Sequence, residues 1–364
     1  MAQSGTAANR NKRKGESAGR QDAPTTEPNV LSKDNLTPLQ QEVVEHLGRE
    51  KLVEMYRRMV LIRSFERRCE QAYQQRRIGG FLHLYMGQEA VGVGMLGALR
   101  PDDYVTTSFR DHGIALALGI PPDPLMAELF GKVTGVSRGK GGSMHFYSKE
   151  KNLLGGHAIV GGGIPVGVGA AFRSRYMDAD QVSVIFFGDG AVQQGVFHES
   201  LNMAALWDLP AIFVIENNQY GMGTALARAS AVTDMTLKAQ GYDMEGVLVD
   251  GMNLLDCYGT LWKAVEQRRK NPAPLLVEAK TYRYRGHSIS DPATYRAEGE
   301  LEHYQQVDPI MQVRRLLDEL GWMSEMQAKA IDREVNQEVA ASYTFAEESE
   351  FPPPEELSMH VYAD

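Results

Sequence analysis

The strongest constraint on the fold is a pair of motifs, each at the end of a buried strand. A nearly continuous apolar run at residues 182–187 leads into Gly-Asp-Gly at residues 188–190, and another at residues 211–215 leads to the Asn pair at 217–218. Such runs are typical of parallel strands covered on both faces. Residues 193–208 between the motifs predict an amphipathic helix. Strand, helix and strand together predict a βαβ unit, whose two motifs emerge at the same carboxyl edge of the sheet.

These motifs place oxygen ligands and flexible backbone at that edge, where open α/β sheets bind ligands. The carboxylate of Asp189 and the amide oxygen of Asn218 suit Mg²⁺, which shares its coordination shell with phosphates. The glycines let the backbone approach a diphosphate closely. Either motif alone could be an ordinary turn, but the two at this spacing, with a strand–helix–strand pattern between them, favour a magnesium and diphosphate site.

Composition narrows the class of protein. The chain has 364 residues, of which 43% are hydrophobic and 23% charged, so it can bury a sizeable core. The net charge of −9 argues against nucleic acid as the main partner, and no apolar stretch is long enough to cross a membrane. Cys69 and Cys257 form no metal or redox motif, which favours reduced thiols. The segment 1–20 is rich in basic residues but lacks the apolar residues of an amphipathic transit peptide. We therefore expect a bacterial cytoplasmic protein rather than a mitochondrial one.

The pattern along the chain predicts one α/β domain, with a parallel sheet, helices on both faces and helical extensions. We expect a disordered tail at 1–36, this domain at 37–350 and a second tail at 351–364. Thr37 and Pro38 predict the start of a long helix that ends at the glycines 79–80. The remaining predicted segments are strands at 103–107, 247–249 and 275–279, helices at 254–269 and 309–345, a long loop at 283–303, and glycine-rich stretches at 139–142 and 155–169 that flank mobile loops.

Residues 92–97 match the GxGxxG pattern of dinucleotide-binding proteins. That fingerprint must follow a strand, whereas residues 87–91 predict the start of a helix. Glycines inside a helix are costly unless another backbone packs closely against them. We therefore reject the dinucleotide site and predict a tight helix–helix contact. That contact could lie within the chain or between subunits.

Three further side chains are candidates on residue type alone. Arg110 follows a predicted strand and can clamp a diphosphate oxygen, although an ion pair with Asp111 is the simpler alternative. His83 is flanked by apolar side chains, which is more typical of a core histidine than of a catalyst. His287 lies in a loop with two arginines and a glycine, and this composition suits either an anionic ligand or a solvated basic loop.

Taken together and in order, these segments resemble the α subunits of the 2-oxo acid dehydrogenase decarboxylase components. The resemblance covers residues 45–345 and rests on several segments. They are GQEA at 87–90, RDHG at 110–113, GKGGSMH at 139–145, the GDG and NN motifs, ENNQYGMG at 216–223 and YRYRGHS at 282–288. The resemblance implies a thiamine-diphosphate-binding fold, with thiamine diphosphate and Mg²⁺ as cofactors.

The resemblance also assigns residues to the cofactor. It implies that Asp189 and Asn218 bind Mg²⁺ through their side chains and Tyr220 through its backbone carbonyl. The residues implied at the diphosphate are Gly190, Ala191, Arg110 and Arg283. Those implied at the rest of the cofactor are Phe109, which stands where many relatives have Tyr, Ala158, Val160, and the catalytic histidines His83 and His287.

One part that the family requires is missing from this chain. The cofactor's aminopyrimidine ring is activated by a Glu on a second α/β domain, and no such domain fits in residues 304–364. The resemblance therefore implies a separate β subunit in an α₂β₂ tetramer, which passes an acyl group to a lipoyl-bearing acyltransferase. Residues 284–292 favour pyruvate as the 2-oxo acid. The alternatives are acetoin, a branched-chain 2-oxo acid, and a non-catalytic scaffold with a degenerate site.

Overall fold

A six-stranded parallel sheet forms the centre of the chain. The computed structural model describes residues 30–359 and residue 361. The sheet strands are β1 Tyr104–Ser108, β2 Leu153–His157, β3 Ser183–Gly188, β4 Ala211–Asn217, β7 Glu245–Asp250 and β8 Leu275–Lys280, and a short antiparallel pair consists of β5 Tyr220–Gly221 and β6 Thr224–Ala225. The order across the sheet is β2-β1-β3-β4-β8-β7, with every neighbouring pair parallel.

Helices surround this sheet in the described part of the chain. They are α1 Pro38–Gln74, α2 Glu89–Leu96, α3 His112–Ala117, α4 Pro122–Leu129, α5 Gly163–Tyr176, α6 Gly195–Leu206, α7 Leu226–Ala229, α8 Leu254–Lys270, α9 Glu300–Gln306, α10 Pro309–Glu319 and α11 Glu325–Glu348. Short 3₁₀ turns include Gly142–Met144 and Asp189–Gln193. No helix among the described residues is long and apolar enough to cross a membrane.

The central strands are buried on both faces, as their apolar runs predict. Successive side chains of a strand point to opposite faces, and Val184 and Phe186 of β3 pack in one hydrophobic core while Ile185 and Phe187 pack in another. The first core holds residues of α1, α2, α3 and α8, and the second holds residues of α5 and α6. The prediction of a parallel sheet with helices on both faces is confirmed.

The predicted βαβ unit is present as β3, α6 and β4. Ser183 pairs with Ala211 at one end of the two strands and Gly188 with Glu216 at the other. The GDG and NN motifs therefore end neighbouring strands at the same edge. The strands predicted at 103–107, 247–249 and 275–279 and the helix at 254–269 are also present, as β1, β7, β8 and α8.

The long first helix begins as predicted and ends earlier than predicted. The side chain of Thr37 accepts the N–H of Gln40, whose own side chain accepts the N–H of Thr37. This reciprocal cap satisfies two backbone donors at the helix start. Gly48 has φ of 62° and breaks the helix in two, and the helix ends at Gln74 rather than at the glycines 79–80.

Two predicted segments need correction. Most of the glycine-rich stretch 155–169, which was predicted to flank mobile loops, belongs to β2 and α5. Its glycines serve close packing: a Cβ on Gly156 would lie 1.9 Å from Asp111, and one on Gly167 would lie 2.4 Å from Ile185. The single helix predicted at 309–345 is two helices, α10 and α11, separated at Gly321, which has φ of 69°.

The glycines of residues 92–97 lie in α2 and its C-cap, so the rejection of a dinucleotide fingerprint agrees with the structure. A Cβ on Gly94 would lie 2.6 Å from the Cβ of Cys257 in α8. The predicted tight helix–helix contact is therefore present, and it lies within this chain.

Parts of both predicted tails are described. Residues 30–36 contact α10, with the N–H of Leu31 donating to Gln312 and the hydroxyl of Ser32 donating to Glu319. Residues 1–29 of the predicted tail lie outside the described residues. At the other end, Glu356 is buried and forms ion pairs with Arg138 and Lys140. The domain boundaries remain a prediction.

Candidate functional site

A cavity of about 340 Å³ opens at the carboxyl edge of β1, β3 and β4. Both motifs contribute to its wall, as the βαβ geometry predicts. Ten of the predicted site residues line it, namely Phe109, Arg110, Val160, Asp189, Gly190, Ala191, Asn218, Tyr220, Arg283 and His287. Two predicted residues, Ala158 and His83, are not among the lining residues.

The two motifs face each other across this edge. Asp189 directly follows β3 and is only 3% exposed, and its burial raises its pKa to about 6 against the opposing charge of Arg283. The Nδ2 of Asn218 donates to Gln88 at 2.9 Å, which leaves its Oδ1 free to face Arg283. A Cβ on Gly190 would lie 3.4 Å from the Cα of Gly221. Glycine at both positions keeps the backbone walls close together.

Arg283 is enclosed by oxygen acceptors. Its guanidinium donates to Oδ1 of Asn218 at 2.9 Å and to the backbone oxygens of Tyr220 and Met222 at 2.5 Å each. It also donates to the hydroxyl of Tyr295 at 2.7 Å. Two of these acceptors are predicted Mg²⁺ ligands. In this structure a positive charge therefore already sits against the oxygens that were predicted to hold a metal.

Arg110 ties together two segments that carry the candidate histidines. Its guanidinium donates to the carbonyl oxygens of Leu84 and His287, at 2.5 and 2.9 Å. Burial lowers its pKa to about 10, and the nearby charge of Arg283 adds to this shift. The alternative ion pair with Asp111 is absent, because the carboxylate of Asp111 accepts the N–H of Phe146 instead.

Three rings cluster at one end of the cavity. The ring of His83 lies 4.6 Å from that of Phe109 and 5.1 Å from that of His287, and Phe109 and His287 are 5.4 Å apart. Burial, with Arg110 next, lowers the pKa of His83 to about 2 and that of His287 to about 4. Both imidazoles are therefore neutral near pH 7. Nδ1 of His83 is buried without a hydrogen-bond partner.

The rim of the cavity beyond β2 is open and apolar. Ile159 is 78% exposed and Val160 is 43% exposed. Val160 lines the cavity as predicted, while Ala158 lies beside it in the same segment.

Sequence reasoning gave no role to Glu216, which also lines the cavity. It is fully enclosed, and its carboxylate accepts a short hydrogen bond from the hydroxyl of Tyr85. Burial raises its pKa to about 7. An acid directly after the apolar run at 211–215 was a signal, because a charge there must face a ligand or a buried partner.

The donor set fits a diphosphate held by a divalent cation. Carboxylate, amide and carbonyl oxygens from Asp189, Asn218 and Tyr220 converge, and such oxygens are the ligands that Mg²⁺ prefers. Two buried arginines, Arg110 and Arg283, supply positive charge beside them. The observation that carries the fit is the placement of a guanidinium on these oxygens, since they already stabilise a cation.

Comparisons with known proteins identify the family of this chain. The sequence profile of the family described as "Dehydrogenase E1 component" matches residues 57–355. The chain is 48% identical over 315 residues to the pyruvate dehydrogenase E1 component subunit alpha of Rhizobium meliloti, covering 86% of this chain and 90% of that protein. It is 45% identical over 318 residues to the protein of the same name from Zymomonas mobilis, covering 87% and 90%.

A plant relative is also similar. The chain is 42% identical over 325 residues to the chloroplastic pyruvate dehydrogenase E1 component subunit alpha-3 of Oryza sativa, covering 87% of this chain and 76% of that protein. The family depends on thiamine diphosphate. A profile match across most of the chain, together with relatives above 40% identity along nearly their whole length, shows that this chain belongs to the dehydrogenase E1 component family.

Proposed function

We propose that this chain is the α subunit of a pyruvate dehydrogenase that uses thiamine diphosphate and Mg²⁺. The observation that carries this proposal is the convergence of the Asp189, Asn218 and Tyr220 oxygens with two buried arginines in one cavity. The pyruvate dehydrogenase α subunits among its relatives support the choice of pyruvate. When bound, thiamine diphosphate supplies an electron sink for decarboxylation of a 2-oxo acid.

Residues of this chain hold the metal and the diphosphate in this proposal. Asp189, Asn218 and the carbonyl of Tyr220 would hold Mg²⁺, and the backbone at Gly190 and Ala191 would help to bind the diphosphate. Arg283 donates to two of these oxygens in the structure, so metal binding requires that its guanidinium leave them. The diphosphate offers it a new anionic partner.

The clustered rings give His287 and His83 their proposed roles. A neutral imidazole can accept or donate a proton at a reacting group. His287 lines the cavity and so can meet a substrate directly. The ring of His83 contacts that of His287, and its unpartnered Nδ1 is free to form a hydrogen bond. Phe109 packs against both rings.

The partners are part of the proposal. The name "subunit alpha" of the relatives implies a complex with a beta subunit, and we propose an α₂β₂ tetramer with a pyruvate dehydrogenase beta subunit. The exposed apolar residues Ile159 and Val160 at the cavity rim suit coverage by that subunit. The acetyl group then passes to a lipoyl-bearing dihydrolipoamide acetyltransferase. The bacterial relatives favour a bacterial cytoplasm as the compartment.

Co-expression with candidate β subunits tests this function. The purified complex is assayed for decarboxylation of pyruvate, branched-chain 2-oxo acids and acetoin cleavage, each with and without thiamine diphosphate. We expect the highest kcat/KM for pyruvate. Preference for a branched-chain acid or for acetoin would replace the proposed substrate, and a complex that binds cofactor but turns over none of these substrates would support a scaffold instead.

A further inference from the structure

A buried chain of three side chains lies behind the cavity, outside the residues assigned to the cofactor. His112, the first residue of α3, is fully buried, and both of its ring nitrogens are engaged. Its Nδ1 lies 2.9 Å from a carboxylate oxygen of Glu66 in α1, and its Nε2 lies 2.9 Å from the hydroxyl of Ser143. Glu66 is 0% exposed and Ser143 is 5% exposed. These three side chains thus connect α1, the start of α3 and the glycine-rich loop.

The side chains at the two ends of this hydrogen-bonded series, Ser143 and Glu66, hold the backbone at and beside His83. The hydroxyl of Ser143 accepts the N–H of His83 at 3.4 Å, and the second oxygen of Glu66 accepts the N–H of Tyr85 at 2.6 Å. Between them, the carbonyl of Leu84 accepts from Arg110. Residues 81–85 belong to no helix or strand. Side chains therefore satisfy the N–H groups of His83 and Tyr85, while the carbonyl of Leu82 accepts the backbone N–H of Ile289.

The loop that carries Ser143 is itself fixed. The buried carboxylate of Glu128 accepts backbone N–H groups of this loop at 2.7 to 3.1 Å, from Ser137, Gly139, Gly141 and Gly142. A carboxylate with this many donors is held firmly. The hydroxyl of Ser143 thus acts from an anchored loop.

Two other roles for these residues do not fit their surroundings. Ligand atoms of Glu66, Cys69 and His112 lie within 4.8 Å of one another, but both imidazole nitrogens already have partners, and burial raises the pKa of the Cys69 thiol well above its usual value. The order Ser143, His112, Glu66 is also that of a hydrolytic triad. Ser143, however, is only 5% exposed and does not line the cavity at the carboxyl edge of the sheet, so its hydroxyl does not face a substrate bound there.

We propose that Glu66, His112 and Ser143 are positioning residues that set the backbone of His83 and thereby hold its imidazole against His287. This inference rests on the proposed function, because it gives the pair of histidines a part in the reaction. Misplacement of a reacting group by about 1 Å can cost a hundredfold in rate. Loss of any member should slow turnover while leaving the diphosphate and metal site intact, since none of the three lines the cavity.

The test uses the complex with the β subunit and the variants Ser143→Ala, His112→Gln and the double variant. We expect each single variant to lower kcat by roughly tenfold to a hundredfold, with the Kd of thiamine diphosphate and the KM of pyruvate within twofold of wild type. Because the two residues act through one series of hydrogen bonds, the double variant should lose no more of its kcat than the worse single variant. Thr134→Val is the matched control, as it removes another hydroxyl of the same loop that bonds to Ser349 instead.

Hydrogen exchange of the peptide covering residues 81–86 gives a readout that needs no activity. We expect faster exchange in Ser143→Ala and His112→Gln and unchanged exchange in Thr134→Val. Unchanged exchange in the two variants, additive losses in the double variant, or an equal loss of cofactor affinity would overturn the inference. A wild-type complex without activity would refute the proposed function alone, while the exchange data would still report on the positioning chain.

Discussion

At the scale of single residues, Arg283 has the largest expected effect on metal and cofactor binding. Its guanidinium is bonded to oxygens of Asn218 and Tyr220, which are also the oxygens proposed to bind Mg²⁺. Two cations cannot share these acceptors at close range without strong repulsion. In the proposed site, Arg283 would therefore compete with Mg²⁺ for these oxygens, and a diphosphate would draw its guanidinium away from them.

Replacement of Arg283 by Gln should affect metal and cofactor in opposite directions. Without cofactor, we expect Mn²⁺ to bind roughly tenfold more tightly to Arg283→Gln than to wild type, because the competing charge is gone. Thiamine diphosphate should bind more weakly, because a positive charge is lost beside the diphosphate. Paramagnetic resonance of free Mn²⁺ and calorimetry of the cofactor measure the two effects. Arg285→Gln is the control, since Arg285 pairs with Glu70 outside the cavity, and equal Mn²⁺ affinity in all three proteins would rule out the competition.

Asp189 should be needed for cofactor binding and not for folding. In Asp189→Ala the loss of a charged metal ligand should cost several kcal/mol of cofactor binding free energy in the presence of Mg²⁺. Calorimetry gives the affinity, and circular dichroism gives the thermal midpoint, which should stay near that of wild type. Asp318→Ala removes an exposed acid of α10 as a control. Normal cofactor affinity in a folded Asp189→Ala protein would show that the metal site is misassigned.

His287 should make stability depend on pH. Its pKa of about 4 in the folded chain lies below the ordinary value of 6.5, so between these values the unfolded state binds a proton that the folded state does not. Wild type therefore loses stability as pH falls through this window. We expect the thermal midpoint to drop less between pH 7.5 and pH 5 in His287→Asn than in wild type. The exposed His198→Asn serves as control, and equal pH dependence of His287→Asn and wild type would contradict the shift.

At the scale of elements, the contact of α2 with α8 is packed too closely to accept a larger side chain. Gly94 leaves no room for a side chain, because a Cβ would lie 2.6 Å from that of Cys257. Gly169 in α5 has nothing within 4 Å of such a Cβ. We predict that Gly94→Ala lowers the free energy of unfolding by roughly 1 to 3 kcal/mol. Gly169→Ala should lower it by less than Gly94→Ala does, or raise it by up to about 1 kcal/mol. Denaturant titration of the purified chain compares them, and equal effects would mean that the contact is looser than it looks.

The elements that the sequence predicted well are those with a strong local pattern. The apolar runs before Gly188 and Asn217 identified β3 and β4, and Thr37 with Pro38 identified the start of α1. The region 155–169 was misjudged because its glycines suggest loops, whereas they permit close packing of β2 and α5. The break at Gly48 depends on one backbone dihedral angle that no periodicity records.

The site divides in the same way. The GDG and NN motifs sit on consecutive strands, so local reasoning placed Asp189 and Asn218 at one edge. Contacts between distant segments were beyond such reasoning. Glu66 and His112 are 46 positions apart, and Arg283 and Asn218 are 65 apart. Only the packing of helices and loops around the sheet brings these side chains together.

At the scale of the whole molecule, the cavity lies at an open edge with an exposed apolar rim at Ile159 and Val160. Among the described residues there is one parallel sheet, and it carries the whole of the proposed diphosphate site. In the proposed assembly, the β subunit supplies the domain that binds the rest of the cofactor. We predict that catalysis requires the complex with the β subunit.

The most direct measurement is cofactor-dependent decarboxylation of pyruvate by this chain alone, by the β subunit alone and by the co-purified complex. We predict activity only in the complex, dependent on both thiamine diphosphate and Mg²⁺, and abolished when the complex carries Asp189→Ala. Robust activity of the single chain, or full activity of a complex with Asp189→Ala, would show that the proposed site and assembly are wrong.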